Sequence, residues 1–412
     1  MEANAALRAP RHAGLPSGWS RTLVAALGYG SLAALVALSG FLTLAAAAGP
    51  SFMVPANPTR FPSWIAGPLA GTGASLTGRG FVFILFLLFV AYAVALACHR
   101  RLARRVVVTT MAVLVVLFTL APPLFSSDIF SYVAYARMGV IHGISPYVHG
   151  PLSIKSDPVI PYTHWLITRS VYGPVFTLFS YALAPLGLTA TLWGLKAIEG
   201  LAAAALVGAV WEIARRLGRD PLLPAMIVGL NPVFLAYGVG GGHNDVLMLS
   251  LATLGVLGVV AGREAAGAAG LVASAAVKAS TVIVAPFMLL GAVRRDKLVR
   301  GGVVAVAIVG AAGLIAFGLD VFGFLLQLEK HQSLTSTSSW PETLSGFFGH
   351  IPGVEVLGRV VLVLGVGGLL VATWRGTIGW IAAAGWALFL LAVTSPWLLA
   401  WYTFWPLPFA AV

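Results

Sequence analysis

The chain has 412 residues, of which 59% are hydrophobic and only 9% are charged, and its mean hydropathy is +0.94. This composition excludes an ordinary soluble domain, which needs far more polar surface, and predicts a polytopic membrane protein. The net charge of +12 does not require a nucleic-acid partner, because Lys and Arg collect on the cytoplasmic side of membrane proteins. The single cysteine, Cys98, allows no disulfide within the chain.

In chain order, a basic segment at residues 1–21 comes first, and we expect it to be a cytoplasmic N-terminal tail. Apolar runs of roughly membrane thickness then recur along the chain. They lie near residues 22–48, 81–98, 106–124, 190–214, 222–239, 245–262, 301–319, 353–373, 377–394 and 398–412. We therefore predict that residues 22–412 form a single all-α domain, a transmembrane helical bundle of about 10–13 spans with outer-face loops and short juxtamembrane helices.

Two further apolar runs are ambiguous. Residues 173–188 contain two prolines, and residues 266–292 hold Lys278 and Pro286, so each is either a broken helix or a segment that enters and leaves on one side. If neither crosses fully, the bias of Lys and Arg predicts which clusters are cytoplasmic. They lie at 99–105, 215–220 and 294–300.

The same orientation predicts that the unusually polar segments face outward, at the cell-membrane surface away from the cytoplasm. They are an extracytoplasmic catalytic loop at 125–172, GGGHND at 240–245, an outer loop at 320–352 and SPWLLAWY at 395–402. The final apolar run stops at Val412 without a charged flank, which leaves open whether the chain ends in the membrane or is truncated.

The segment SSDIFSYVAYARMGVIHGISPYVHG, residues 126–150, follows an apolar run and brings together residue types that can carry chemistry. In a helix, Asp128, Tyr132 and Tyr135 share one face, which predicts a carboxylate beside two phenols. The alternatives are that Asp128 caps the helix and that the tyrosines belong to an interfacial belt. The irregular loop after the helix, with His142 and Tyr147, must pack on protein or line a water-filled cavity.

The segment GGGHND combines three glycines with His243, Asn244 and Asp245. Two side chains that could be metal ligands, without a third nearby, are a weak metal signal, so we predict that these three residues line a site. The alternative is a glycine-rich turn in which Asn244 or Asp245 caps the next helix.

Cationic side chains near the outer face are candidates for binding a phosphate. Lys330 and His331 lie in the polar loop at 327–343, and the alternative is that this loop is simply solvated. Lys278 lies within a span, where a charge is costly unless it is paired or reaches a water-filled cavity. The Tyr and Trp residues of SPWLLAWYTFW at 395–405 stack on a sugar or lipid, or belong to an aromatic belt; they include Trp397, Trp401 and Tyr402.

The sequence contains no Walker loop and no HExxH, GxSxG, CxxC or DxD motif, which argues against an ATP-driven pump. No cofactor is indicated, and a divalent metal stays open although no DxD motif supports one.

The chain resembles the polytopic GT-C glycosyltransferases that use polyprenyl-phosphate sugars, and within them the polyprenol-phosphate-mannose-dependent α-(1→6)-mannosyltransferases. The motifs that carry this resemblance span most of the chain. They are SSDIFSYVAYARMGVIHGISPY at 126–147, VYGPVF at 171–176, GGHNDVLM at 241–248, VKAS at 277–280 and SPWLLAWYTFW at 395–405. One acid stands in the first outer loop motif where many relatives in the wider superfamily carry two, which leaves metal use open, and the chain is short at its C-terminus for the family.

The resemblance implies an inverting transfer of a sugar, mannose, from a polyprenyl-phosphate donor to a glycan or glycolipid acceptor on the outer face. It implies that Asp128 is the catalytic carboxylate, acting as general base. The leaving lipid phosphate then needs cationic stabilisation. The candidates for it are Arg137, Lys278, Lys330 and His331, and the predicted lining residues are Tyr132, Tyr135, His142, Tyr147, Tyr172, His243, Asn244, Asp245, Trp397, Trp401 and Tyr402.

Two other functions fit the same composition less well. A transporter or flippase of lipid-linked saccharides would also need aromatic and cationic residues, but it should show repeats with symmetric broken helices, and none is visible. A non-catalytic scaffold would not need irregular loops that carry Tyr, His and Asp. The sequence leaves the sugar, the acceptor, the linkage and the oligomeric state open.

Overall fold

The computed structural model describes residues 20–54, 61–71, 74–331, 334–349 and 353–412. These residues are almost entirely helical, and the described part contains no strand beyond one isolated bridge between Ser51 and Val54. The all-α prediction is therefore confirmed. The predicted N-terminal tail lies outside the described residues, apart from its last two.

The described residues up to 229 form these α-helices: α1 (Arg21–Ala47), α2 (Ser63–Ala66), α3 (Gly78–Cys98), α4 (Arg104–Leu120), α5 (Asp128–His142), α6 (Pro174–Leu183), α7 (Leu188–Arg216) and α8 (Leu222–Gly229). The described residues after them form α9 (Asp245–Val260), α10 (Glu264–Ala275), α11 (Ala285–Gly291), α12 (Arg295–Phe317), α13 (Gly323–His331), α14 (Trp340–Phe348), α15 (Val354–Trp374), α16 (Trp380–Thr394) and α17 (Leu407–Ala410). Short 3₁₀ helices join several of them, and residues Phe234–Val239 form a π-helix.

Five helices of the described chain are long and apolar enough to cross a membrane: Arg21–Ala47, Gly78–Arg101, Leu188–Arg216, Arg295–Leu328 and Val356–Trp374. Shorter apolar helices accompany them at Pro174–Leu186, Asp245–Val260, Ala279–Gly291 and Trp380–Thr394. The chain is thus an all-α polytopic membrane protein. These long helices are fewer than the 10–13 spans predicted from the sequence, because proline breaks some of the apolar runs into shorter helices. For example, residues 222–239 are divided near Pro232 into α8 and the π-helix.

The helices bring the main clusters of basic residues to one end of the bundle. Helices α4 and α12 begin at that end, and α7, α9 and α15 finish there; Arg104 contacts Asp220 at 3.3 Å and Arg294 contacts Glu264 at 2.9 Å. We call this the basic end. The opposite end, which we call the cavity end, holds the end of α4, the start of α9 and the ends of α10 and α16.

Neither ambiguous run forms a long membrane-spanning helix in the described chain. Helix α10 leads to a break at residues 276–278, and a 3₁₀ helix and α11 return, so that Arg294 forms an ion pair with Glu264 at the start of α10. Residues 266–292 thus enter and leave at the basic end. Residues 173–188 begin at the cavity end and reverse at Gly187, whose φ of +93° favours glycine, before α7 runs to the basic end.

Close packing of α9 against α10 positions the polar residues at the cavity end. A Cβ on Gly255 would lie 2.8 Å from the backbone oxygen of Gly267, so these helices touch through their backbones. The antiparallel pair therefore brings the start of α9, with Asp245, beside the break after α10, with Lys278.

Candidate active site

A cavity of about 630 Å³ opens at the cavity end of the bundle. Its wall combines the start of α5, residues 164–172, the break that holds Lys278, and residues 395–405. Of the residues predicted from the sequence, those on this wall are Asp128, Tyr135, Tyr172, Lys278, Trp397, Trp401 and Tyr402. Phe125, Trp165 and Trp405 add further aromatic rings to this wall, which suit the flat apolar faces of a sugar ring or an isoprenoid.

The loop before Asp128 is held by backbone contacts from two other parts of the chain. The Leu124 amide donates to the Gly240 carbonyl at 3.1 Å, and the Phe125 amide donates to the Met53 carbonyl at 2.7 Å. Phe125 has a φ of +60°, a conformation that costs free energy in a residue other than glycine. These contacts fix where α5 begins and therefore where its first residue, Asp128, enters the cavity.

The Asp128 carboxylate accepts a hydrogen bond from a side chain rather than from its own helix. The indole Nε1–H of Trp165 donates to Oδ1 at 3.1 Å, while the hydroxyl of Ser126 accepts from the Asp128 amide at 3.1 Å. Among the described hydrogen bonds, the carboxylate makes none to a backbone amide of α5, which argues against the capping alternative. The side chain keeps 18% of its surface exposed, toward the cavity.

Burial raises the pKa of Asp128 above its usual value, and the Trp165 hydrogen bond and the positive charge of Lys278 offset part of this rise. A carboxylate with a raised pKa is a stronger proton acceptor than an ordinary one. The surroundings of Asp128 therefore suit a group that takes up a proton during a reaction.

Asp245 and Lys278 form an ion pair in which Lys278 lies on the cavity wall and Asp245 is buried behind it. Lys278 Nζ lies 2.8 Å from Asp245 Oδ1, and the Trp405 indole N–H donates to the same oxygen at 2.8 Å. The ammonium group also lies over the rings of Tyr402, at 4.8 Å, and Trp405, at 5.3 Å. The prediction that Lys278 sits in a broken helix is confirmed, since its backbone is extended between α10 and the 3₁₀ helix that follows.

The tyrosines of α5 share one side of the helix, as the spacing predicts. The Tyr172 ring contacts Tyr132 at 4.9 Å and Tyr135 at 6.4 Å between centroids. Tyr135 donates its phenol to the Thr168 carbonyl at 2.8 Å. Tyr132 lies behind the cavity wall, where its phenol points at Asn244 Oδ1, 3.4 Å away.

His243 also lies behind the wall, between Asp128 and the aromatic segment. Its ring is fully buried and stacks on Trp401 with 3.8 Å between centroids. Its Nδ1 atom is 3.7 Å from Asp128 Oδ2. The segment GGGHND therefore lies behind the cavity wall and contacts the wall residues Asp128 and Lys278. The sequence predicts that this segment is near the site, but it does not show whether its side chains reach the cavity surface.

Three predicted residues lie away from the cavity. Arg137 and His142 both contact Asp157, at 2.9 and 2.8 Å, and Tyr147 donates its phenol to the Thr177 hydroxyl at 2.8 Å. Burial alone raises the pKa of Asp157, but hydrogen bonds from Arg137 and His142 bring it below the usual value. This placement does not support a phosphate-binding role for Arg137 or a lining role for His142 and Tyr147.

Helix α13 includes Lys330 and His331, but their side chains lie outside the described residues, so their predicted role stays a prediction. Within the described part of the chain, no three His, Cys, Asp or Glu side chains lie close enough together to hold a metal ion.

Two residues of the site were not singled out from the sequence. Trp165 donates to Asp128, and Trp405 donates to Asp245. Trp405 belongs to the aromatic motif at 395–405, from which Trp397, Trp401 and Tyr402 were predicted to line the site. Trp165 lies in an irregular part of the first outer loop, where the sequence has no periodic pattern. Only the folded loop shows that its indole reaches the carboxylate.

Fold and site together define an all-α integral membrane protein with a carboxylate and an ammonium group in an aromatic cavity at one end of the bundle. Comparison with known sequences identifies the family. Residues 28–294 match the family described as "Alpha-(1->6)-mannopyranosyltransferase, N-terminal domain". The chain belongs to this family and is a glycosyltransferase.

Individual relatives match over most of the chain. Alpha-(1->6)-mannopyranosyltransferase A of Mycobacterium tuberculosis is 27% identical over 376 residues, which cover 81% of this chain and 72% of the relative. The enzyme of the same name from Corynebacterium glutamicum is 25% identical over 336 residues, covering 71% of this chain and 68% of the relative. No solved structure matches the chain.

Proposed function

We propose that this protein is an inverting mannosyltransferase that moves mannose from a polyprenyl-phosphate donor to a hydroxyl of a glycan or glycolipid acceptor. The observation that carries the proposal is the Asp128 carboxylate, exposed to an aromatic-walled cavity that also holds the Lys278 ammonium group. The relatives, which are named as α-(1→6)-mannopyranosyltransferases, support mannose as the sugar and the (1→6) linkage.

In the proposed reaction, Asp128 takes the proton from the attacking acceptor hydroxyl. The acceptor oxygen forms a bond to C1 of the mannose while the bond from C1 to the phosphate oxygen breaks, and the electron pair leaves with the polyprenyl phosphate. Attack from the face opposite the phosphate inverts the anomeric carbon, so a β-linked donor gives an α-linked product. One carboxylate base is sufficient for this displacement.

The leaving phosphate needs positive charge close to the reacting centre. Lys278 is the one Lys or Arg among the described residues of the cavity wall. Its ion pair with Asp245 uses one N–H direction of the ammonium group and leaves other donors for a phosphate oxygen. We therefore assign Lys278 to the donor phosphate. The rings of Trp397 and Trp401 on the same wall supply apolar faces for the sugar and the first isoprene units.

We also propose that the cavity faces away from the cytoplasm. Basic residues concentrate at the end of the bundle opposite the cavity, which the positive-inside bias puts in the cytoplasm. A donor held in the bilayer by its lipid then reaches the cavity from the outer leaflet, and the acceptor approaches from the aqueous side.

The test is transfer of radiolabelled mannose from polyprenyl-phosphate mannose to a short α-mannoside by the purified protein. We expect product from the wild type and a loss of at least about 100-fold in rate for Asp128→Asn, which removes the base but keeps the size of the side chain. Asp320→Asn, which changes an exposed acid in the turn after α12, is the matched control and should retain full activity.

Equal rates for the wild type and Asp128→Asn would remove Asp128 from the mechanism. Lipid-linked sugar that crosses the membrane of proteoliposomes without forming any covalent product would instead favour a transporter.

A further inference from the structure

His243 presents buried polar atoms that the described structure leaves without hydrogen-bond partners. The side chain is 0% exposed, and neither Nδ1 nor Nε2 makes a hydrogen bond, although an imidazole always carries at least one donor and the neutral form also has one acceptor. Buried polar groups are almost always paired, because an unpaired one costs free energy. An orphaned ring beside a reactive carboxylate therefore calls for a functional explanation.

The place of the ring is set by two contacts. Trp401 stacks on one face at 3.8 Å, and the backbone amide of His243 donates to the Gly238 carbonyl at 3.1 Å. Nδ1 then lies 3.7 Å from Asp128 Oδ2, about 0.8 Å beyond an ordinary N–H···O distance. Hydrogen bonds in free active sites are often long and tighten only when substrate is bound.

The two oxygens of Asp128 have different neighbours. Trp165 donates to Oδ1 at 3.1 Å from the cavity side, whereas Oδ2 has His243 Nδ1 beside it on the buried side. Two N–H groups on two different oxygens would hold the plane of the carboxylate and leave its remaining lone pairs for the acceptor hydroxyl.

We propose that His243 is a positioning residue for the reaction, which donates a hydrogen bond from Nδ1 to Oδ2 of Asp128 when substrate is bound. This inference rests on the proposed role of Asp128 as general base. His243 does not touch the cavity, so it acts through Asp128 and not on substrate. The neutral imidazole with its proton on Nδ1 is the form that does this, and its Nε2 atom is then an acceptor.

The charged and titratable groups around the pair come from several elements. Lys278 and Asp245 act on Asp128 from the break after α10 and the start of α9, and Lys278 and Lys196 of α7 act on His243. The phenols near the carboxylate are those of Tyr132, Tyr135, Tyr172 and Tyr402. All of these stay in place when only residue 243 is changed, so a difference between two variants at that position reports on the donor itself.

The experiment compares His243→Asn with His243→Leu, which are nearly equal in size and both lack the ring. The Asn amide nitrogen lies where Nδ1 lies, so it can still donate to Asp128, and Leu cannot. A donor to the carboxylate stabilises its charged form and lowers the Asp128 pKa, so the loss of the donor raises it. Because Asp128 must be ionised to act as a base, the rate falls as pH drops through the pKa of Asp128. This fall, the acid limb of the pH–rate profile, therefore moves to higher pH when the donor is lost.

For His243→Leu we expect a fall in kcat of about tenfold or more, KM within about twofold, and an acid limb about one pH unit higher. For His243→Asn the acid limb should stay near that of the wild type, with a smaller loss of kcat. Equal losses in both variants with unchanged acid limbs would overturn the inference and leave His243 as a packing residue for Trp401. If His243→Leu does not fold, His243→Gln replaces it, because its amide lies where Nε2 lies; rates and limbs equal to those of His243→Asn would again overturn the inference.

A second readout does not depend on transfer activity. Infrared titration of the purified protein, saturated with the α-mannoside acceptor and without donor, gives the pKa of the Asp128 carboxyl while substrate is bound; subtracting the spectrum of Asp128→Asn identifies its carbonyl band. We expect a higher value in His243→Leu than in the wild type and in His243→Asn, and the same value in all three would overturn the inference. Absence of product from the wild type would count against the proposed function, whereas this titration tests the contact between His243 and Asp128 by itself.

Discussion

Asp128 and Asp245, two carboxylates beside the cavity, have surroundings that suit different roles. Asp245 is fully buried, with the Lys278 ammonium and the Trp405 indole both 2.8 Å from one oxygen. Asp128 has an indole donor at 3.1 Å but no Lys or Arg within ion-pair distance in the described chain, and it faces the cavity. An acid that is neutralised by a cation anchors structure, whereas one that is desolvated without a cation can exchange a proton.

The ion pair between Asp245 and Lys278 can be separated into a structural and a chemical part. Lys278→Met leaves a buried charge on Asp245, so we expect the free energy of unfolding to fall by about 3 kcal/mol. We also expect the variant to lose transfer activity. The double variant Lys278→Met with Asp245→Asn removes both charges and should regain most of the stability but none of the activity. Chemical unfolding in detergent and the transfer assay measure the two effects, and an active double variant would contradict the phosphate role of Lys278.

At the scale of elements, the hairpin of α10 and α11 delivers Lys278 to the cavity. The break after α10 also contacts the turn that precedes α6, where the Gly173 amide donates to the Val277 carbonyl at 3.1 Å. A Cβ on Gly173 would lie 2.3 Å from the Ala276 carbonyl oxygen. The position of Lys278 is therefore coupled to the packing of a single glycine between Tyr172 and Pro174.

Gly173→Ala should displace the break after α10, because the backbone of Ala276 leaves no room for a methyl group. We expect a loss of about 1–3 kcal/mol in the free energy of unfolding and a clear fall in transfer activity. Gly208→Ala in α7 is the control: a Cβ there meets nothing within 4 Å, and alanine favours a helix, so stability should hold or rise by about 0.5–1 kcal/mol. Thermal unfolding and transfer rates that are the same for both variants would show that the close contact at Gly173 does not matter.

At the scale of the whole molecule, the bundle separates a basic end from a cavity end. Arg375 follows α15 at the basic end and is exposed, and His149 is exposed in the loop between α5 and α6 at the other end. The separation follows from the alternating directions of the helices, which bring the basic turns at 99–105, 215–219 and 294–300 to one end. It makes the orientation of the cavity a measurable property.

We expect a membrane-impermeant maleimide added to intact cells to label His149→Cys and not Arg375→Cys, both made in a chain in which Cys98, the only cysteine, is replaced by Ala. Permeabilised cells should give labelling of both, which controls for reactivity. The opposite pattern would put the cavity in the cytoplasm and contradict the proposed outer-face reaction while leaving the fold unchanged.

Parts of the site were predictable because they follow from local rules. The i, i+4 and i+7 spacing put Asp128, Tyr132 and Tyr135 on one side of a helix, and a lysine beside a proline-broken run indicated Lys278 at a cavity. The structure does not support Arg137 as a phosphate-binding residue, because Arg137 pairs with Asp157, which lies twenty residues further along in an irregular loop. No periodic pattern specifies the path of such a loop.

The sequence by itself determined the class of this protein, an all-α bundle in a membrane, and the carboxylate at the start of α5. Both depend on composition and on neighbours along the chain, where the free energy of burying apolar residues and the helical repeat apply directly. The tertiary structure alone decided that Trp165 and His243 flank Asp128 and that Lys278 is paired with Asp245. These contacts join residues between 33 and 115 positions apart, and their geometry depends on how whole helices pack.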